Sequence, residues 1–130
     1  MRREAKAAVA IWSCLVGLSA GAIAAAPGGD PARGAKVYAA SCGSCHSLDA
    51  NRVGPAHRGV YGRKAGTARG YTYSPAMRGA RIVWNEATLD RFLQNPQQMV
   101  RGTRMGFRLT DPARRADVIA YLRQQGAPRK

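Results

Sequence analysis

The chain is predicted to be all-α, a single domain of helices joined by long irregular loops. Apolar residues recur at helical rather than strand spacing in three segments, two Asp-Pro pairs mark helix starts, and no internal repeat divides the chain. Its 130 residues fit one small domain. Removing an N-terminal export segment would leave about a hundred, a size that buries only a limited core.

Residues 1–26 read as a signal peptide and 27–130 as the domain. Arg2, Arg3 and Lys6 form a basic start, Ala7 to Ala26 carry no charge, and Ala24-Ala25-Ala26 offers a small-residue cleavage site. A retained membrane anchor is the alternative. The Ala, Ser and Gly content makes the segment weakly hydrophobic for that role. Cys14 follows Ile11-Trp12-Ser13, too bulky a context for the usual lipid-modified cysteine.

The first helix is expected to start at Asp30-Pro31, where the carboxylate accepts unpaired N–H groups and proline lacks the donor that would go unsatisfied. Gly34, Val37, Tyr38 and Ser41 then share a face leading into Cys42. Ser74-Pro75 opens a short turn of helix that Gly79 closes. Asn85 caps a helix to about Asn95 with Leu89, Phe92 and Leu93 on one side, and Pro96 ends or kinks it. Asp111-Pro112 starts the last helix, which turns Val118, Ile119 and Leu122 inward, sets Tyr121 beside them, and finishes at Gly126 with Pro128 beyond. The stretch between the first helix and Trp84 is rich in glycine, yet it also carries Val53, Val60, Tyr61, Tyr71, Tyr73 and Ile82. That much irregular chain in a compact domain implies that it wraps something.

After Ala26 the sequence has 18 Lys and Arg against 6 Asp and Glu, a net charge near +12. Such a field speeds association with any acidic surface, whether a redox protein, anionic lipid or nucleic acid. The basic residues are scattered singly or in pairs without a long run or an aromatic stripe, which argues against nucleic acid.

Cys42-Gly43-Ser44-Cys45-His46 is the attachment sequence for a c-type haem. Two residues between the thiols let both sulfurs reach the vinyl groups of one porphyrin, and the adjacent imidazole then meets the iron from the same side. A redox dithiol would sit in a βαβ setting, and no strands are found to make one. A Cys42–Cys45 disulfide would close too small a loop to stabilise much. A zinc site built from Cys42, Cys45, His46 and His57 would be awkward, because Cys45 and His46 are adjacent.

For the sixth iron position the mature chain offers His57, Met77, Met99 and Met105. Met105 is favoured because Gly102-Thr103-Arg104-Met105-Gly106-Phe107 forms a loop with glycines on both sides, far enough along the chain to reach the opposite haem face. A thioether there stabilises ferrous iron and leaves no vacant position for a substrate, which is the arrangement of a carrier. Met77 and Met99 are read as core fillers.

With these residues in place, the chain resembles the class I cytochromes c, particularly bacterial relatives of the mitochondrial carrier. The resemblance rests on Gly34 through Tyr38, the haem motif, Val53-Gly54-Pro55, Gly59 through Gly66, Gly70 through Ser74, Trp84, Leu93 through Pro96, Gly102 through Phe107, and Arg115 through Leu122. It implies the class I fold, helices and loops wrapped around one covalent haem. It further implies that the Pro55 carbonyl accepts from His46, that Arg63, Tyr73 and Trp84 bind the haem propionates, and that Gly34 and Tyr38 pack on Val118, Tyr121 and Leu122. Four positions depart from the family pattern. His57 replaces a leucine, Arg101 replaces a proline, and Met77 and Met99 stand where Asn and Tyr are frequent. A weaker Met–iron bond is expected from these changes, and His57 is expected on the His46 side, partly exposed at the haem rim.

The expected function is electron transport without enzymatic activity: a periplasmic, monomeric carrier that docks on acidic redox proteins such as a membrane oxidase, reductase or reaction centre. Association with a membrane surface is compatible with the charge. The alternatives are a haem subunit dedicated to one dehydrogenase, and a peroxidase-like enzyme in which His57 is the only available distal base.

Overall fold

The computed structural model describes residues 28–126, so the expected signal peptide, Cys14 and Pro128 lie outside the described residues. Five helices appear in this part: α1 Pro31–Ser41, α2 Pro75–Gly79, α3 Glu86–Gln94, α4 Pro96–Met99 and α5 Pro112–Gln124. None is long and apolar enough to cross a membrane.

Local chemistry explains each start. Asp30 accepts the Arg33 N–H at 2.7 Å, and Asp111 accepts from Ala113 and Arg114, each ahead of a proline in the first helical position. Ser74 caps α2 through the Met77 N–H. At α3 the caps are reciprocal: Asn85 accepts from the Thr88 N–H at 3.0 Å, and the Thr88 hydroxyl accepts from the Asn85 N–H at 2.8 Å. Asn95 ends α3 and caps α4, so Pro96 opens a second short helix where the sequence predicts an end or a kink. The last helix stops at Gln124, two residues before the expected Gly126.

α1 and α5 cross at Gly34. A Cβ there would fall 2.0 Å from the Asp117 carbonyl oxygen and 2.8 Å from Tyr121 Cβ, so glycine is what lets the two backbones approach. Val37 and Tyr38 of α1 and Val118, Ile119 and Leu122 of α5 form the core with Leu89, Phe92 and Leu93 of α3, and Val118 has no exposed surface. The crossing is also pinned by charge. Asp117 accepts two bonds from the Arg33 guanidinium, both at 2.8 Å, and one from the Asp30 N–H at 2.7 Å. Those bonds hold the Asp117 carboxyl below its ordinary range, with the Arg33 hydrogen bond the largest cause.

The glycine-rich stretch wraps as expected, with Val60, Ala65, Tyr73 and Met77 buried in the core. Val53 is different, 76% exposed. A short antiparallel pairing that the sequence does not announce holds this stretch to the chain entering α3. Gly62 donates to Trp84 O at 2.7 Å, Trp84 to Arg63 O at 2.9 Å, and Ala65 to Ile82 O at 2.8 Å, around an isolated bridge between Lys64 and Val83.

Candidate functional site

A cavity of about 400 Å³ lies between the loops and the helices α2, α3 and α5. Every site residue named from the sequence lines it: Cys42, Cys45, His46, Pro55, Arg63, Tyr73, Trp84 and Met105. Cys42 is the C-cap of α1, and its carbonyl accepts from Cys45 at 3.1 Å and from His46 at 2.8 Å. The helix end therefore folds into a tight turn that presents both thiols and the imidazole together. Cys42 and Cys45 are not joined in a disulfide. Among the described residues no group of three or more His, Cys, Asp or Glu side chains could hold a metal ion, which leaves the zinc alternative without support.

His46 is gripped by backbone. Its Nδ1 lies 2.9 Å from Pro55 O, so Nδ1 carries the proton and donates, leaving the Nε2 lone pair free. Gly54 donates to Cys45 O at 2.8 Å and passes so close that a Cβ on it would sit 2.1 Å from His46 Cε1. Burial lowers the His46 pKa, and the Pro55 bond opposes that shift.

His57 lies on the His46 side, as the sequence predicts, and is half-buried there. Its ring stacks on His46 with centroids 4.0 Å apart and planes 19° from parallel, and the Tyr38 ring meets it edge-on at 5.7 Å. Its Nδ1 is buried without a partner. Burial pulls its pKa down to about 3, with the neighbouring His46 and Arg63 acting in the same direction, so the ring is neutral.

Arg63, Tyr73 and Trp84 come together along one wall. Arg63 spends its terminal nitrogens on Arg58 O at 3.2 Å and Ala56 O at 3.0 Å, while its Nε is buried with no partner. Burial lowers the Arg63 pKa, with the Tyr73 charge opposing. A buried donor without an acceptor costs about 1–3 kcal/mol, so this wall calls for an anion. Together with thiols on one edge and an apolar floor of Leu89, Phe92 and Leu93, the lining fits a porphyrin with carboxylate substituents.

Met105 faces the same cavity from the loop after α4. Met77, read as a core filler, is buried and also lines the cavity, whereas Met99 only packs half-buried on the core. Two contacts have no counterpart in the sequence pattern, the stacking of His57 on His46 and the Gln97 amide bonded to the Met105 loop. The sole hint of the first is the unusual residue at position 57. The second has no signal.

The fold and the cavity define the class: a small helical protein wrapped around one covalently attached c-type haem. The cytochrome c family model matches residues 31–126, and the chain belongs to that family. It is 42% identical over 106 residues to cytochrome c of Ulva intestinalis, covering 78% of this chain and 96% of that one. It is 45% identical over 101 residues to cytochrome c2 of Rhodomicrobium vannielii, covering 75% and 80%. Among solved structures, cytochrome cH from Methylobacterium extorquens superposes with a TM-score of 0.71 at 41% identity, covering 74% of this chain and 99% of that one. The protein is accordingly a haem electron carrier rather than an enzyme.

Proposed function

We propose that the haem is bonded through Cys42 and Cys45, that His46 and Met105 are its axial ligands, and that the carrier works in the periplasm after export through residues 1–26. One observation carries this reading: His46 and Met105 reach a single cavity from separate loops, with both thiols on its edge. The haem supplies a one-electron iron couple when bound. The chain supplies position and dielectric. Pro55 O fixes the His46 tautomer and orientation, as supporting hydrogen bonds do at metal sites. Arg63 would use its unpartnered Nε on a propionate, with Tyr73 and Trp84 beside it. Leu89, Phe92, Leu93 and Met77 exclude water.

The partners on this reading are acidic redox proteins such as a membrane oxidase, reductase or reaction centre. The net charge supports them, since a field of one sign steers encounter without fixing a long-lived complex. A peroxidase-like role is disfavoured because its only candidate distal base, His57, stacks on His46 and so lies on the same side of the cavity as that ligand.

The test is absorption spectroscopy of protein matured by the export machinery. Haem should stay attached after denaturation in the wild type and be lost from a C42A/C45A double variant. The weak far-red band of thioether-bound ferric iron should vanish in M105A. Retention of that band in M105A would overturn the assignment of the sixth ligand.

A further inference from the structure

We infer that Gln97 is a positioning residue that keeps Met105 turned into the cavity, a role that rests on Met105 being the sixth ligand. The loop around Met105 has little of its own to hold it. Arg101 stands where the resembled family has a stiff proline, Gly102 has φ +91°, and Gly106 adds a second backbone without a side chain. Its internal bonds are sparse: the Thr103 N–H reaches Val100 O at 3.0 Å, and the Met105 N–H reaches the Thr103 hydroxyl only at 3.4 Å.

The Gln97 amide closes this gap. Its Nε2 donates to Thr103 O at 2.6 Å and to Met105 O at 3.2 Å, the carbonyls on either side of Arg104. A primary amide has two N–H groups, one for each carbonyl. Gln97 projects from α4 next to Pro96, one of the most deeply buried side chains, so the donor stands on a fixed platform. Arg104 then ties the loop from another direction, donating to Thr72 O at 2.8 Å. With both flanking carbonyls and the intervening side chain held, the Met105 side chain is left directed at the cavity.

The donor, rather than the bulk of the side chain, is what matters. Gln97→Glu keeps size and helix propensity but faces two carbonyl oxygens with a carboxylate, whereas Gln97→Lys keeps donors. In the ferric holoprotein, added imidazole can bind only when Met105 leaves, so its binding rate reports loop opening. Q97E should bind imidazole about five- to tenfold faster than wild type, roughly the rate equivalent of one hydrogen bond, with a weakened far-red band. Q97A should behave similarly, and Q97K should return the rate to within about twofold of wild type. Gln98→Ala, on the exposed neighbour, should leave rate and band unchanged. Wild-type rates and a full band in both Q97E and Q97A would overturn the clamp while leaving Met105 ligation intact. A wild-type protein without the band would remove Met105 ligation, and the clamp with it.

Discussion

The two sides of the cavity are built differently. On the His46 side the side chain is held by main chain and rings: the Cys42 carbonyl turn, Pro55 O at 2.9 Å, the bare backbone of Gly54 and the stacked His57. On the Met105 side the loop is held by polar side chains at the surface, Gln97 and Arg104. The first kind of support cannot yield without moving backbone. The second can open one hydrogen bond at a time, each worth about 1 kcal/mol. On the proposed ligation by His46 and Met105, the fixed frame belongs to His46 while the loop side is where exchange would begin.

Glycine substitutions break this comparison most sharply. Gly54→Val would drive a side chain into the His46 ring, and Gly34→Val into the Asp117 carbonyl, with first contacts at 2.1 and 2.0 Å. Each should cost about 3 kcal/mol or more, since relief needs the backbone to shift at Gly34 and the His46 ring to leave its bond to Pro55 O at Gly54, and so lower the melting temperature by more than about 10 °C. Gly106 on the Met105 side has no atom within 4 Å of the place a Cβ would take and no positive φ, so Gly106→Ala should change stability by less than about 0.5 kcal/mol. Thermal unfolding of the three variants gives the ranking, and an unchanged melting temperature for Gly34→Val would count against the α1–α5 crossing.

The next effect is a pH dependence at that crossing. The bonds from Arg33 depress the Asp117 pKa below its unfolded value, so the stabilisation is present above about pH 4 and fades as pH falls through the lower folded pKa. Arg33 is 57% exposed, so water screens the pair and its contribution is small. Asp117→Asn should therefore be slightly less stable than wild type at pH 7, with the gap closing toward pH 2. Denaturant midpoints at the two pH values measure it. A gap that widens on acidification would reverse the sign of the linkage.

Legibility in the sequence follows the range of each interaction. The helix starts at Asp30, Ser74, Asn85 and Asp111 are readable because a cap and its partner lie within three residues. The cavity-lining residues are readable because attachment chemistry fixes Cys42, Cys45 and His46, and the family resemblance carries Pro55, Arg63, Tyr73 and Trp84. The pairing of Gly62–Ala65 with Ile82–Trp84 is not, since so few residues show no period. The His57 stack and the Gln97 bonds depend on where two loops lie after the chain has turned back, which no local pattern encodes.

The smallest single-site effects concern charge. All six acidic side chains of the described residues are engaged: Asp30 and Asp111 at helix caps, Asp49 with Arg58, Glu86 with Arg123, Asp90 with Arg115, and Asp117 with Arg33. Intramolecular pairing therefore uses up the anions and leaves the remaining cations to set the outer field. Reaction rates with an acidic redox partner should fall steeply as ionic strength rises from about 10 to 150 mM, because the Debye length shrinks from about 30 to 8 Å. Removing one exposed charge on the looser side of the cavity, Arg101→Gln, should slow encounter less than about threefold at low salt and leave thermal stability unchanged. Stopped-flow rates across that salt range check both statements. A rate independent of ionic strength would show that the basic surface does not steer the encounter.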